Sequence, residues 1–264
     1  MSGLFDTHCH LDAPEFDADR EAVWSRAEAA GVAGAVVPAV EPASWAKTLV
    51  VSTGSRFAAI GVHPQYLPNL TEAALDDALA GLVAFARAAG ARVVAVGECG
   101  FDGSSDVFRA QSALQRRVFL AHAEAARALD LPLVVHVLKA HGEALAAMRA
   151  ATLRREPGVI HSFSGGPELA REYLAMGWHL AMGGAVTRPS ARRPVEATRA
   201  IPAERLLLET DAPDQTPTGV PEGVRRCEPA HLTIIARRVA EVRGEDVDAL
   251  AARTTANARA LFRV

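Results

Sequence analysis

The residues of this chain best suited to chemistry are histidines and carboxylates that stand where short apolar runs end. Of the nine histidines among the 264 residues, five close such runs, more than chance placement would put there. Carboxylates close two further runs, in Gly97-Glu98-Cys99 and Glu209-Thr210-Asp211. Imidazole nitrogens and carboxylate oxygens are ligands for divalent cations. The residues at the ends of six runs are His8, His10, His63, Glu98, His136, His161 and Asp211.

The pair His8 and His10 gives the clearest indication of a metal site. Two residues apart on a strand, they would share one face. A His-x-His pair alone also occurs by chance in protein cores, but the ligand-type residues at the other run ends favour a divalent ion, with Zn²⁺, Mn²⁺ and Mg²⁺ as candidates. With Glu98, His136, His161 and Asp211, the pair makes six candidate ligands, which exceeds what one tetrahedral site takes. The sequence therefore predicts two ions ~3.5–4 Å apart that share a carboxylate.

The elements that must position these residues follow an alternating pattern of apolar runs and longer amphipathic stretches. Continuous apolar runs such as Leu133-Val134-Val135 suit strands of a parallel sheet covered on both faces. Eight strand–helix units of this size close most simply into a (β/α)8 TIM barrel, whose chemistry lies at the C-terminal ends of the strands. The predicted strands cover residues 4–10, 34–40, 57–63, 93–100, 132–137, 158–163, 179–187 and 205–211.

The predicted barrel occupies residues 1–264 as a single domain, and two other arrangements compete with it. Two domains of ~130 residues each would also fit the length. An open, doubly wound sheet is the nearer alternative, but no glycine-rich dinucleotide fingerprint follows the first run. The tail from about residue 228 to residue 262 is expected to form two helices.

Composition limits where the protein works and what it binds. Half of the residues are hydrophobic and 22% are charged, which is typical of a soluble globular protein. No apolar run is long enough to cross a bilayer, no signal peptide is evident, and three cysteines favour a reducing cytoplasm. The net charge of −3 argues against a broad basic surface for nucleic acid. A DNA substrate would therefore be gripped locally, and no obligate protein partner or membrane is indicated.

Six motifs in order resemble those of the TatD family of metal-dependent hydrolases, which belong to the amidohydrolase-type barrels. The resemblance extends from residue 5 to residue 262. His141, five residues after His136, and the long loop that follows residues 209–214 make the chain most similar to the YjjV-like branch. The motifs are Asp6-Thr7-His8-Cys9-His10-Leu11-Asp12, Gly61-Val62-His63-Pro64, Val96-Gly97-Glu98, Leu131-Pro132-Leu133-Val134-Val135-His136, Val159-Ile160-His161-Ser162-Phe163-Ser164-Gly165 and Leu208-Glu209-Thr210-Asp211-Ala212-Pro213.

The resemblance implies a two-metal centre that hydrolyses phosphodiesters, with DNA as the usual substrate. It implies that His63 contacts the substrate or the attacking water. Asp211 would bind metal and also act as general base, a role that a carboxylate can fill. By the same resemblance, the first ion takes His8, His10, Asp211 and bridging Glu98, and the second takes Glu98, His136 and His161.

Two positions depart from the family pattern where substrate would bind. Leu138 stands where the family usually has an arginine suited to phosphate, and Lys139 could replace it only as a point charge. Cys227 stands where the family usually has asparagine. Arg188 is a third predicted substrate contact, because a basic rim on an acidic protein suits an anionic substrate. The predicted rim consists of Lys139, Arg188, Arg192, Arg193, Arg225 and Arg226.

Several nearby polar residues are expected to support the site rather than form it. Asp102 and Glu209 are predicted to orient ligands. Cys9 and Cys99 should point outward as buried thiols. His122 is expected to be a surface or packing residue.

Three functions remain in competition at this point. The first is a two-metal phosphodiesterase that trims DNA ends. The second keeps the barrel and metals but cleaves a small phosphoester, amide or lactone. The third is a non-catalytic metal-dependent binding protein, which would require a missing ligand, and no ligand is missing. Glu98 favours the first function over the second, because many barrels of the wider group bridge their metals with a carboxylated lysine instead.

Overall fold

The computed structural model describes residues 3–224 and 226–264. Eight strands lie in one sheet in chain order, and each neighbouring pair is parallel. Helices lie between them, so the predicted (β/α)8 barrel is confirmed. The strands are β1 (Leu4–Asp6), β2 (Val32–Pro38), β3 (Arg56–Ile60), β4 (Val93–Asp102), β5 (Leu133–Leu138), β6 (Gly158–Ile160), β7 (His179–Met182) and β8 (Leu206–Leu208).

The helices cover the outside of the sheet, and several begin with side-chain caps. In α3, the Thr71 hydroxyl accepts the N–H of Ala74, and in α10 the Asp246 carboxylate accepts the N–H groups of Asp248 and Ala249. The predicted pair of C-terminal helices is confirmed as α9 and α10. The helices are α1 (Arg20–Ala29), α2 (Trp45–Val51), α3 (Glu72–Ala89), α4 (Asp106–Ala110), α5 (Ser112–Leu129), α6 (His141–Ala150), α7 (Pro167–Ala175), α8 (Arg192–Ala200), α9 (Leu232–Arg243) and α10 (Val247–Phe262).

Strands β1 and β8 are joined by hydrogen bonds that bring the first and last strands together. The N–H and hydroxyl of Thr7 both donate to the Leu208 carbonyl at 3.0 Å. The buried Asp6 carboxylate accepts the N–H and the hydroxyl of Thr210, at 2.9 and 2.6 Å. The segments after β1 and β8 therefore emerge side by side at the mouth of the barrel.

The apolar residues divide into an inner and an outer cluster, as the alternation of side chains along a strand requires. The inner cluster takes residues such as Val134 and Leu207, and Leu261 and Phe262 at the end of α10 pack against it. The outer cluster lies between strands and helices and contains Cys9 and Cys99, both fully buried, as predicted. The interior is thus apolar except at its C-terminal mouth.

The strands end earlier than the sequence predicted at several places. His8 and His10 lie beyond β1, which ends at Asp6, so the prediction that this pair lies on a strand was wrong. The backbone turns away from strand pairing here: the N–H of His8 donates to the Asp6 side chain, and that of His10 donates to the Ala212 carbonyl. Of the predicted metal ligands, Glu98 lies within β4 and His136 within β5, and the others lie on loops just past their strands.

Within the described residues, none of the helices is long and apolar enough to span a membrane.

Candidate metal centre

The predicted site residues meet at the mouth of the barrel around one carboxylate, that of Glu98. Glu98 lies within β4 and is only 1% exposed. Imidazole nitrogens approach its two oxygens, and a second carboxylate, that of Asp211, lies beside two of these imidazoles. We call the residues around one oxygen the Oε2 set (His8, His10 and Asp211) and those around the other the Oε1 set (His63, His136 and His161).

The Oε2 set has the spacing of a tetrahedral metal site. His8 Nε2 lies 3.1 Å from Glu98 Oε2 and 3.1 Å from His10 Nε2. Asp211 Oδ1 lies 3.5 Å from the Nε2 atoms of both His8 and His10. His10 Nε2 is also 3.5 Å from Glu98 Oε2. Ligand atoms bound to one ion at ~2.0–2.1 Å in a tetrahedron lie ~3.3 Å apart. The two imidazoles therefore have the spacing of ligands to one divalent cation, both with Glu98 and with Asp211.

Glu98 Oε2 itself supports this fit. It is fully buried and accepts no hydrogen bond from the described residues, although His8 Nε2 lies only 3.1 Å away. Buried carboxylate oxygens without a partner are costly. A cation among these atoms would satisfy the oxygen.

The Oε1 set is built from three imidazoles. His161 Nε2, His63 Nε2 and His136 Nδ1 lie 2.9, 3.1 and 3.3 Å from Glu98 Oε1. His136 Nδ1 and His161 Nε2 are 3.2 Å apart. His63 thus lies among the candidate ligands, whereas the family resemblance implied a contact with the substrate or the attacking water. Glu98, His63 and His136 form one of the groups whose spacing could hold a metal ion.

Carboxylates lie behind two imidazoles of the Oε1 set. Asp102 Oδ2 lies 3.1 Å from His136 Nε2 and accepts the side-chain amide of Gln65 at 2.7 Å. Glu209 Oε1 lies 3.3 Å from His161 Nδ1. The hydrogen bond between Asp102 and His136 is of the kind that fixes the tautomer and orientation of a metal-binding ring, and Glu209 places a carboxylate beside His161. The structure thus brings Asp102 and Glu209 to the rings, as predicted for residues that orient ligands, whereas nothing in the sequence singled out Gln65.

The Oε2 set is held differently. His10 Nδ1 lies 3.1 Å from the Pro38 carbonyl, and the His8 ring stacks on His161 at 3.9 Å. Asp211 Oδ1 faces the two histidines, while its Oδ2 accepts the amide of Gln215 at 2.5 Å. Gln215 was also missed, because only the folded loop brings it back to Asp211.

Electrostatics keep the carboxylates ionised. Burial alone would raise the pKa of Glu98, but the surrounding imidazoles of His63, His161 and His8 outweigh it and hold that pKa well below its usual range. Burial likewise opposes ionisation of Asp211, yet its bond with His10 and the charges of His161 and His8 lower its pKa. Ionised carboxylates are the form that binds metal.

The pKa values of two imidazoles of the Oε1 set shift in opposite directions. Burial lowers the pKa of His63 to about 4, so this ring is neutral near pH 7. Burial also acts on His161, but the charges of Glu98 and Glu209 raise its pKa well above the ordinary value. In the absence of a cation the centre therefore binds protons, which a metal would displace.

A cavity of about 280 Å³ opens beside the centre. Its wall combines hydroxyl, amide and guanidinium groups with the apolar side chains of Val137 and Leu138. Arg188 is exposed at its edge. The lining residues are His136, Val137, Leu138, His161, Ser162, Ser164, Ala185, Arg188, Asp211 and Gln215.

The other predicted rim residues take different positions. Lys139 is exposed but is not among the described residues that line the cavity. Arg192 and Arg193 begin α8 and are exposed, with no ion pair to any described side chain. Arg226 is bound to Asp19 and Glu228, so it is not a free cation. Arg225 lies outside the described residues.

Two further residues of interest are occupied by structural contacts. Cys227 is buried, with its sulfur 3.9 Å from the Thr210 carbonyl. His122 is fully buried on α5, where its Nε2 accepts the N–H of Val62 at 3.0 Å and its Nδ1 lies 2.8 Å from the Val118 carbonyl. His122 is thus a packing residue, one of the two predicted options, and it fixes the backbone next to His63.

Comparison with known proteins places this barrel and its centre in one family. A family model described as TatD related DNase matches residues 5–263. The chain is 34% identical to the metal-dependent hydrolase YabD of Bacillus subtilis, over 99% of each chain. It is 35% identical to the 3'-5' ssDNA/RNA exonuclease TatD of Escherichia coli K12, over 98% of each.

A solved structure agrees with the sequence comparisons. The crystal structure of YjjV, a TatD homologue from Escherichia coli K12, superposes with a TM-score of 0.90 at 32% identity, covering 99% of this chain and 98% of the other. The predicted family is confirmed, and with it a metal-dependent hydrolase. The chain belongs to the TatD family of metal-dependent hydrolases.

Proposed function

We propose that this protein is a two-metal phosphodiesterase that trims the ends of single-stranded DNA. The observation that carries the proposal is the position of Glu98, whose two oxygens each face a separate group of ligand-type atoms within 3.5 Å. A carboxylate so placed can bridge two cations.

The residues present fit two divalent ions. His8, His10 and Asp211 would hold the first and His136 and His161 the second, with Glu98 shared. His63 is near enough to join the second set or to contact the attacking water. Bound there, two cations would lower the pKa of a water between them toward ~7 and neutralise charge that builds on the phosphoryl oxygens. The donor set suits Zn²⁺, Mn²⁺ or Mg²⁺.

Asp211 is the proposed general base. Its Oδ1 faces His8 and His10, which leaves Oδ2 on the side of Gln215 and the cavity. Because its pKa is low, the carboxylate is ionised at neutral pH and can accept a proton from water at Oδ2. Proton transfer to a positioned side chain typically contributes ~10²–10⁴-fold to a rate.

The substrate proposal rests on relatives and on the cavity. Relatives at 35–36% identity are named 3'-5' ssDNA/RNA exonucleases. The cavity volume of about 280 Å³ lies at the small end of the range for ligand pockets, so it suits one terminal unit of a strand. Arg188 at the edge offers a cation to a phosphate, as Lys139 does further out.

The proposal also covers the cellular compartment and the domain organisation of the protein. Cys9, Cys99 and Cys227 are all unpaired and buried, which suits a reducing compartment such as the cytoplasm. We further propose that residues 1–264 act as one domain.

A second candidate is hydrolysis of a small phosphoester, amide or lactone at the same centre. The observation that favours it is Leu138 in the cavity wall, where an apolar side chain replaces a possible bidentate contact to phosphate. A small substrate needs fewer phosphate contacts than a strand does.

A substrate panel separates the two candidates. Metal-loaded protein would be assayed with Mg²⁺, Mn²⁺, Zn²⁺ and Co²⁺ against linear and circular single-stranded DNA, duplex DNA, RNA, model phosphodiesters, dipeptides and lactones. We expect linear single-stranded DNA to be shortened from its ends. Equal cutting of closed circles would refute the grip on strand ends, and cleavage of a small substrate alone would favour the second candidate.

A further inference from the structure

The loop after β8 carries a side chain that touches both Asp211 and the segment after β6. Gln215 Nε2 donates to Asp211 Oδ2 at 2.5 Å and to Ser162 Oγ at 2.6 Å. A primary amide has two N–H donors, so these two acceptors use both. The amide cannot be turned over, because its oxygen would then face an ionised carboxylate.

The backbone of this loop is held close to β7. A Cβ on Gly184 would lie 1.9 Å from the Gln215 carbonyl oxygen, so the loop can approach only because residue 184 is glycine. Gln215 itself has a φ of 53°, an uncommon conformation for a residue other than glycine. Packing therefore fixes where the amide points.

We propose that Gln215 is a positioning residue that holds the Asp211 carboxylate by Oδ2 and so presents Oδ1 to the first metal ion beside His8 and His10. The inference rests on the proposed function, since it assigns Asp211 to a metal. Ser162 anchors the other N–H of the amide, and the N–H of Ser162 donates to Glu209 Oε1. Glu209 in turn contacts His161.

Behind the Oε1 set lies a matched amide, that of Gln65, which serves as a control. Gln65 Nε2 donates to Asp102 Oδ2, and Asp102 contacts His136. Gln65 and Gln215 thus have the same type of side chain, and each donates to a different carboxylate on opposite sides of Glu98. Methionine has a similar length and lacks the donors, so Gln215→Met and Gln65→Met each remove one bond to a carboxylate. Gln215→Met also removes the bond to Ser162, which Ser162→Ala removes by itself.

The experiment measures Zn²⁺ affinity of chelator-stripped protein by competition with a chromophoric chelator. Asp211→Ala identifies the binding step that depends on Asp211. We expect Gln215→Met to weaken that step by ~10-fold or more, the scale found when a residue that orients a metal ligand is removed. Gln65→Met should leave it unchanged, and Ser162→Ala should weaken it less than Gln215→Met does.

A double-mutant cycle distinguishes positioning from loosened packing. If Gln215 acts through Asp211, the double variant Gln215→Met, Asp211→Ala should bind Zn²⁺ no more weakly than Asp211→Ala alone. Full additivity, or an equal effect of Gln215→Met and Gln65→Met on the same step, overturns the inference. If Asp211→Ala weakens a step and Gln215→Met does not, only the role of Gln215 fails. If Asp211→Ala leaves Zn²⁺ binding unchanged, the proposed metal site fails as well.

Discussion

The two sets around Glu98 are supported in different ways. In the Oε1 set, His136 and His161 each have a carboxylate behind the ring, Asp102 and Glu209. In the Oε2 set, His10 contacts the Pro38 carbonyl, and the negative charge is in the set itself, on Asp211. One set is therefore formed by neutral ligands that acidic residues orient, and the other includes an acidic ligand. The variants below test whether the sets differ in function as they do in support.

The pKa of each imidazole depends on burial and on the carboxylates beside the ring. Burial lowers the pKa of His8, and the charge of His161 lowers it further. For His136, burial acts in the same direction, but its contacts with Asp102 and Glu98 outweigh it and raise the pKa. Burial also lowers the pKa of His10 in the Oε2 set, but its bond with Asp211 and the charge of Glu98 outweigh burial and raise that pKa to about 9. Each ring therefore shifts according to the carboxylates beside it, in either set.

Removing the residue that the sets share should have the largest effect. Glu98→Ala deletes a ligand-type oxygen from both, so we expect loss of both ions and a fall in activity greater than the ~10²-fold expected for loss of general-base assistance alone. Metal analysis at saturation and turnover on single-stranded DNA provide the measurement. Retention of two ions with near-normal turnover would show that Glu98 does not bridge.

Changing only the acidic member of the Oε2 set should have the next largest effect. Asp211→Asn keeps the shape of the side chain but removes its charge and its basicity. We expect kcat to fall by at least ~10²-fold, with the ion of the Oε1 set retained. A steady-state assay combined with metal analysis checks both parts. If kcat stays near that of the unaltered protein, Asp211 is not the base.

Removing a supporting carboxylate should affect the Oε1 set alone. Asp102→Asn keeps a hydrogen-bond partner for His136 without the negative charge, and we expect metal affinity there to fall by ~10–100-fold. Stepwise Zn²⁺ titration would report which binding step changes. Weakening of the step that depends on Asp211 would contradict the division into two sets.

The sequence was sufficient to predict what depends on strand ends. The six expected ligands meet because each lies in the C-terminal part of a strand or just after it, and parallel strands present their C-terminal ends at one mouth. It was not sufficient for Gln65 and Gln215, since a glutamine in a loop has no periodicity to mark it. The His8–His10 pair was identified for a wrong reason: the two rings meet on a loop whose path depends on contacts with Val36 and Ala212, residues far apart in the chain.

His122 offers a test of how the Oε1 set is supported from the helix layer. Burial lowers its pKa to about 4, so the folded protein holds it neutral. The free energy of unfolding that neutral His122 contributes is complete above about pH 6.5, the pKa of histidine in the unfolded chain. It is lost as the pH falls toward 4. We expect His122→Gln, which can keep both hydrogen bonds, to reduce the loss of unfolding free energy between pH 7.5 and pH 5 by about 2 kcal/mol.

Denaturant unfolding of both proteins at several pH values measures that difference. His231, half-buried in the segment before α9, provides a control. His231→Gln should change the pH dependence less, because a histidine nearer to solvent loses less on protonation. Identical pH dependence in His122→Gln and the unaltered protein would contradict the prediction.

The smallest expected effect lies at the cavity wall, where both sets would face the substrate. Leu138→Arg places a guanidinium beside His136 and allows a bidentate contact with phosphate. If the protein is a nuclease with a weak local grip, we expect activity on single-stranded DNA to rise a few-fold. Because the unaltered site contacts few phosphates, its affinity for DNA should depend only weakly on salt. The variant should steepen the slope of log binding constant against log salt concentration by about one.

Binding and turnover measured from low to moderate salt test this prediction, and Leu138→Met is the control for a change of shape without charge. A rise in activity on DNA with Leu138→Arg but not with Leu138→Met would attribute the gain to the added phosphate contact. If Leu138→Arg lowers activity on a small phosphoester and leaves DNA uncut, Leu138 belongs to the wall of a small-molecule site, and the second candidate function replaces the first.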